Sequence, residues 1–503
     1  MTTSAYALPP GTPISATIYA GSGSMQANAH YWAVAQLLTN VDSYTDSASC
    51  ADSGSWRILT GTTKAAYTDG MGTTIPSGTN IAYMLSFAGG TFANAIGAIA
   101  NASTLGYPPQ SAIDGSTVTC ASSNGSPTRV LGSFGTITAI PDFGTSDEEV
   151  ALFNNTTNVP GSYTTSGTKS VFHAGTPLTD AQVGNLSTAA LYTNLMGLAV
   201  TNALYSGTHP KTSFSRQEIT GILTGNITNW SQLYANDGTL LPNQKLILLD
   251  RAPGSGTKAA MNVYFLLNPT ASGVGAQWIP ENEKAVGGGP TPAGLSSPVP
   301  SSNCSSSVPS AYIDFNESSS TTLFQDLENL NTANCLAIGI LGLEFAPELE
   351  LGGMNPATGV ANYQFAKING VDPYARFTTG AHVYATYANE LNGSYDLMFT
   401  NSFNYRTGLV NGVGHYLGDG SYNSVFINTM MSQLGNGAIP GGVSGQYPAG
   451  VPGILLDPAV SGAAGRCVTP GSRFLDSQHP PELVGTFNSV AGVTVPACND
   501  QLR

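Results

Sequence analysis

Arg251 stands four residues ahead of Ser255-Gly256-Thr257, in a turn that joins an apolar run to a helix-forming stretch. A guanidinium is a planar, two-pronged donor suited to an oxyanion. Backbone N–H groups at a helix start add a partly positive cradle without a charged side chain. The run Asp142-Phe143-Gly144-Thr145-Ser146-Asp147 brings a carboxylate to a second turn. Two small-residue turns, Ala20-Gly21-Ser22-Gly23-Ser24-Met25 and Phe87-Ala88-Gly89-Gly90-Thr91, add amides and hydroxyls. Jointly these residues suit the capture of a small oxyanion, although each turn alone is compatible with a plain βα connection. Catalysis has less support. The histidines, His30, His173, His209, His382, His415 and His479, show neither HxH nor HExxH spacing. There is no GxSxG elbow and no GxGxxG, and Lys258 follows the S-G-T run in the wrong order for a P-loop. The chain is not expected to be an enzyme, and no cofactor or metal is expected.

These turns need elements to hold them. Residues 14–19 (ISATIY) alternate as a strand, and residues 26–38 read as a helix after the first turn. Residues 81–86 and 245–249 read as further strands, followed beyond their turns by helical stretches at 92–100 and 258–267. Strands alternating with helices predict an α/β fold with mixed or mostly parallel sheets. In such folds ligands bind beyond the carboxyl ends of the strands.

Residues 214–230, FSRQEITGILTGNITNW, resemble the "S…I..IFTGKITNW" signature of the phosphate-binding proteins of ABC transporters, periplasmic type II solute-binding proteins. R-A-P-G-S-G-T at 251–257 resembles that family's R-x-D-G-S-G-T loop, and DFGTSD at 142–147 resembles its DFGASD. LAIGILGLE at 336–344 resembles its GAIGYVE, and the matches follow family order. The resemblance implies a two-lobed fold with an anion clasped between the lobes. The first lobe would be discontinuous, 1–198 plus 350–503, and the second would span 199–349 with an insertion at 269–334. Carried over position by position, the implied ligand set is Ser24, Asp147, Arg251, Ser255, Gly256 and Thr257. The second loop maps onto Ala88–Thr91. The family has a serine there, which falls here on Ala88 or Gly89, so Gly90 and Thr91 complete the set. A carboxylate facing an anion repels it unless the anion carries a proton, so Asp147 would favour phosphate over sulfate. Pro253 departs from the family's Asp, removing a carboxylate near Arg251 and one N–H from the turn.

Composition sets the surroundings. Only 9% of the 503 residues are charged, against a usual share of about 25%. A net charge of −14 argues against nucleic acid as a partner. No run approaches the roughly 18 apolar residues of a membrane span. A neutral surface rich in Ser, Thr, Asn and Gly suits a periplasmic or extracellular protein, and the N-terminus lacks the basic and apolar regions of a signal peptide. The chain also exceeds the family core, with excess at 40–78, 101–139, 269–334 and beyond about 435. Cys50, Cys120, Cys304, Cys335, Cys467 and Cys498 fall in or beside these stretches. Pairing neighbours, Cys50–Cys120, Cys304–Cys335 and Cys467–Cys498, would pin them; six buried free thiols are the other reading. The expected partners are phosphate or a related oxyanion, with an ABC permease or further copies of the chain. The rival reading is an extracellular structural or self-assembling surface protein built on the same fold, since few charges oppose self-association.

Overall fold

The computed structural model describes residues 8–23, 34–46, 55–87, 90–121, 127–148, 150–154, 158–159, 162–164, 171–173, 175–252, 254–266, 313–317, 320–345, 363–373, 375–379, 382–386, 389 and 394–435, together with 454–455, 473–474 and 482–483. The chain is a mixed α/β protein whose main sheet combines parallel and antiparallel strands.

The first strand, β1 (Ala16–Ser22), begins with buried and half-buried residues in alternation and ends in three fully buried ones. Residues 34–37 are helical, but Leu38 does not extend the helix as expected; it opens strand β2 (Leu38–Thr45). β2 pairs antiparallel with β3 (Trp56–Thr63), and β3 pairs antiparallel with β4 (Asn80–Ser86). The excess at 40–78 is thus largely sheet. Its Ser/Thr/Asn content reads as loop, but the β-branched and aromatic positions of WRILTGTT fit a pleated surface. Further on, β5 (Thr117–Ala121) and β6 (Pro127–Val130) extend the same edge, β6 pairing parallel with β2. β4 runs into a helix, α1, that is π-helical over Thr91–Gly97 and α-helical over Ala98–Ala100.

β1 lies between β4 and β7 (Phe143–Ser146), parallel to both. The carboxyl ends of β1 and β7 run under α1. A Cβ on Gly21 would fall 1.8 Å from the Asn94 carbonyl oxygen, and one on Gly144 would fall 2.2 Å from that of Ala95. Only glycine permits this approach, so these small residues seat a helix at the strand ends.

The long strand β8 (Leu186–Thr201) joins two halves of the sheet. Its first part pairs antiparallel with β13 (Met398–Arg406), which also pairs with β7. Its last part pairs with β11 (Ala337–Gly342) and β12 (Tyr363–Ile368). Beyond β11 lie β9 (Ile247–Arg251) and β10 (Ile313–Glu317), parallel to one another. β9 is buried throughout, as a strand covered on both faces must be. Residues 313–317 and 320–332 of the segment read as an insertion are therefore strand and helix of this half: α4 (Ser320–Thr332) buries Leu323, Leu327 and Leu330 against Ile247, Leu249 and Leu341.

The signature at 214–230 has a structural basis. Ser215 and Glu218 form a capping box that starts α2 (Arg216–Leu223), each satisfying a free N–H of the other's segment. Trp230 is fully buried and donates its indole N–H to the Leu336 carbonyl at 2.9 Å. Helix α3 (Gly256–Leu266) follows β9 and is buried at every position. Ala259 and Val263 pack with Phe92, Ile96, Val150, Phe153 and Leu178, while Ala260, Met261, Tyr264 and Phe265 pack with the opposite group around Trp230 and Leu248. Helix α5 (Tyr422–Gly435) returns to the first half, packing Val425, Phe426 and Met430 beside Ile18 and Phe143.

Cys335 is buried and disulfide-bonded. The side chains of Cys50, Cys120, Cys304, Cys467 and Cys498 lie outside the described residues, so the neighbour pairing stands as a proposal. Among the described residues no helix is long and apolar enough to cross a membrane.

Candidate functional site

The site forms where the carboxyl ends of β7 and β9 meet the starts of α1 and α3. β9 delivers Arg251 at its last position, and the chain turns at Gly254, whose φ of 86° lies in the left-handed region. Ser255 then starts α3, its hydroxyl accepting from the Lys258 N–H at 3.4 Å. The Gly256 N–H is taken by the Thr91 hydroxyl oxygen at 3.1 Å, and the Phe92 N–H donates to the Gly254 carbonyl at 2.8 Å. Two of the turns picked out by sequence are thus hydrogen-bonded to each other. Gly90, with φ of 76°, faces the Gly254 carbonyl: a Cβ there would lie 3.7 Å from it.

Asp147 follows β7 and is 2% exposed. Its Oδ2 would lie 2.5 Å from a Cβ on Gly256, so the carboxylate rests against the first residue of α3. There it meets the positive end of the helix. Its Oδ1 accepts a hydrogen bond from Asn194 Nδ2 at 3.0 Å. Arg251, also buried, donates from Nη1 to the Ser320 hydroxyl at 2.8 Å and to Thr257 Oγ1 at 3.4 Å. Ser320 begins α4, so a second helix start adjoins the guanidinium.

Behind this layer lies a buried ion pair. Lys258 Nζ donates to Asp250 Oδ2, and Asp250 Oδ1 accepts the Arg251 N–H at 2.7 Å. The pair fixes the backbone at Arg251 and compensates both charges away from water, without which either would be costly to bury. Asn158 ties in a further segment: its carbonyl accepts from the Gly254 N–H at 2.9 Å, and its Oδ1 accepts from Asn262 at 3.0 Å.

The structure therefore brings Gly90, Thr91, Asp147, Arg251, Ser255, Gly256 and Thr257 to one place. Ser24 and Pro253 lie outside the described residues. Asn194, Ser320, Asn158 and the Asp250–Lys258 pair escaped the sequence reading. Asn194 carried a signal, as an amide directly before the apolar run LMGLAV, and Asp250 carried one as a carboxylate near the end of an apolar strand. Ser320, 69 residues from Arg251, carried none.

A second polar group sits at the opposite end of β7. Asp142 is buried, and its Oδ2 accepts from the Tyr19 N–H at 2.8 Å and from Asn423 Nδ2 at 3.0 Å. Burial pushes its carboxyl up to about 6, against the pull of the Tyr19 bond, His415, Arg406 and Asn423. Arg406 is itself lowered by burial and donates to the Pro141 carbonyl at 2.9 Å and the His415 carbonyl at 3.0 Å. Among the described residues no cluster of His, Cys, Asp and Glu could hold a metal ion.

No family model matches the chain, and no curated protein matches it. Solved structures do. An ABC-type phosphate transport receptor from Vibrio cholerae aligns at 17% identity over 50% of this chain and 70% of its own, with a TM-score of 0.27. A phosphate-binding protein from Stenotrophomonas maltophilia aligns at 16% identity over 78% of this chain and 79% of its own, with a TM-score of 0.31. The ancestral soluble variant of the human phosphate binding protein aligns at 12% identity over 64% of this chain and 87% of its own, also at 0.31. These neighbours are binding proteins.

Proposed function

We propose that the protein captures phosphate or a closely similar protonated oxyanion between two lobes, as an extracytoplasmic solute-binding protein. The observation that supports this reading is the convergence on the start of α3: Asp147 and Thr91 from one half of the sheet, Arg251 and the Ser255–Thr257 turn from the other. In this reading Arg251 supplies charge and a planar pair of donors, the α3 amides supply a preorganised cradle, and Asp147 accepts the proton that the ligand carries. The lobes of this reading would be 1–198 with 350–503 and 199–349, joined through β8, with the difference that β12 (Tyr363–Ile368) pairs with the end of β8 and packs beside Leu248 and Ile338 of the second. Ser24 joins the ligand from the first loop. The phosphate named for the structural neighbours agrees with this ligand class, and an ABC permease is the corresponding partner.

Titration calorimetry with phosphate, phosphite, arsenate and sulfate tests the proposal. Phosphate and arsenate are expected to release heat and sulfate to give little. Arg251→Ala is expected to weaken phosphate binding by roughly a hundredfold, the scale of a lost charged hydrogen-bond pair. Absence of heat from every oxyanion would sink the reading.

A further inference from the structure

We infer that Asn401 is a further ligand-contacting residue of this site, its side-chain amide pairing with the captured oxyanion. The inference rests on the oxyanion reading above and goes beyond it by adding a binding residue that no motif marks.

Asn401 lies on β13 between Phe399 and Phe403, and by strand alternation the three share one face. Phe403 stacks on Phe143 of the first half, the ring centroids 4.5 Å apart, and Phe399 meets Tyr264 of α3 edge-on at 6.2 Å. An apolar residue would suit the position between them. Asn401 is instead a fully buried amide, and among the described residues neither its Nδ2 nor its Oδ1 has a hydrogen-bond partner. Burying an amide unpaired costs stability, so such a group calls for a reason.

Strand register supplies one. β7 pairs with β13 up to Ser146 and Ser402, so Asp147 and Asn401 are the next residues along their strands. On the other side of β13, Asn194 of β8 pairs with Phe399, and β8 shifts register between Ala190 and Thr193, opposite Asn401. Asn194 donates to Asp147 across β13. Asn401 thus stands, by register, between the two ends of that hydrogen bond, and bonds to neither residue. Asp147 in turn rests against Gly256, so the unpaired amide borders the polar layer at the start of α3. An amide offers two N–H donors and a carbonyl acceptor without a charge. Nδ2 donates to an oxygen of the anion, and Oδ1 takes a proton where the anion carries one. Pro253 leaves the Arg251–Thr257 turn one backbone donor short, and Asn401 adds a donor from the other half.

A ligand contact and a purely structural amide respond differently to removal of the amide. Asn401→Leu keeps the volume and takes away an unpaired polar group, so the ligand-free protein is expected to hold or raise its urea midpoint. Its phosphate affinity is expected to fall roughly tenfold, the scale of one hydrogen bond to a charged group. Where the leucine variant fails to fold, Asn401→Ser against Asn401→Ala isolates the polar group at nearly equal size, and the serine variant is expected to bind more tightly. The measurements are urea denaturation without ligand and titration calorimetry with inorganic phosphate, both on the full chain. Weaker binding at an undiminished midpoint supports the assignment. Parental affinity in the leucine variant, or equal affinity in the serine and alanine variants, overturns it and leaves the reading of the site standing. Weaker binding that follows a lowered midpoint in the leucine variant also overturns it, since the amide would then serve the fold. If the unaltered protein binds no oxyanion, the reading of the site falls and the assignment with it.

Discussion

Two aspartates flank the same four-residue strand and illustrate how placement decides what a carboxyl does. Asp147 lies against a helix start and accepts a hydrogen bond from the Asn194 amide. Asp142 is buried, and its burial outweighs the donors around it, lifting it from 3.8 to about 6. A carboxyl held above its unfolded value binds its proton more tightly in the folded state. Its contribution is therefore fully present below about pH 4 and is lost as pH rises through about 6. A shift of about two units corresponds to roughly 3 kcal/mol. Asp142→Asn is expected to flatten the stability curve between pH 4 and pH 6, since the amide can accept from Tyr19 and Asn423 without a charge to desolvate. Urea denaturation at a series of pH values measures this. An unchanged slope through that window would show that Asp142 does not titrate there.

At the level of elements, the close seating of α1 on β1 and β7 orders the turns at Thr91 and Gly256. Thr91 reaches Gly256 only because the helix lies almost in contact with the strand backbone. Gly144→Ala would push a methyl into the Ala95 carbonyl and is expected to cost at least about 2 kcal/mol. It should also weaken anion binding, because Asp147 lies three residues on. A denaturation midpoint unchanged from the parent would refute the packing argument. The same level shows what was readable in advance. The unit around Arg251 was legible because its parts are adjacent in the chain: a strand read at 245–249 is found as Ile247–Arg251, and a helix read at 258–267 as Gly256–Leu266. The carboxylate of DFGTSD was legible as a motif. The edge strands β2 and β3 were not, because Thr, Ser and Asn on a half-exposed sheet edge look like loop residues until their pairing partners are known. The contacts of Asn194 with Asp147 and of Ser320 with Arg251 join residues 47 and 69 positions apart, and local pattern has no access to them.

Taken whole, the molecule places few charges on its surface and several in its interior. The net charge of −14 gives no long-range attraction for an anion, so the proposed recognition would depend on buried, preorganised groups. Those groups are flanked by α3, which belongs to two apolar clusters at once: Ala259 and Val263 face Phe92 and Phe153, and Ala260 and Tyr264 face the group around Trp230. In the proposed reading, an occupant between the halves would leave by parting the first of these contacts. The lifetime of the bound state would then be governed by the cost of wetting that apolar seam, and affinity and off-rate would be separately adjustable. Val263→Ala, which thins the seam without touching the polar groups, is expected to hasten phosphate release severalfold in a stopped-flow chase while leaving the order of anion preference unchanged. Release at the parental rate would place the slow step elsewhere. A helix that is buried on every side is thus more than a packing solution. In the proposed reading it would make the chain a slow-exchanging container, suited to holding a scarce solute rather than sampling an abundant one.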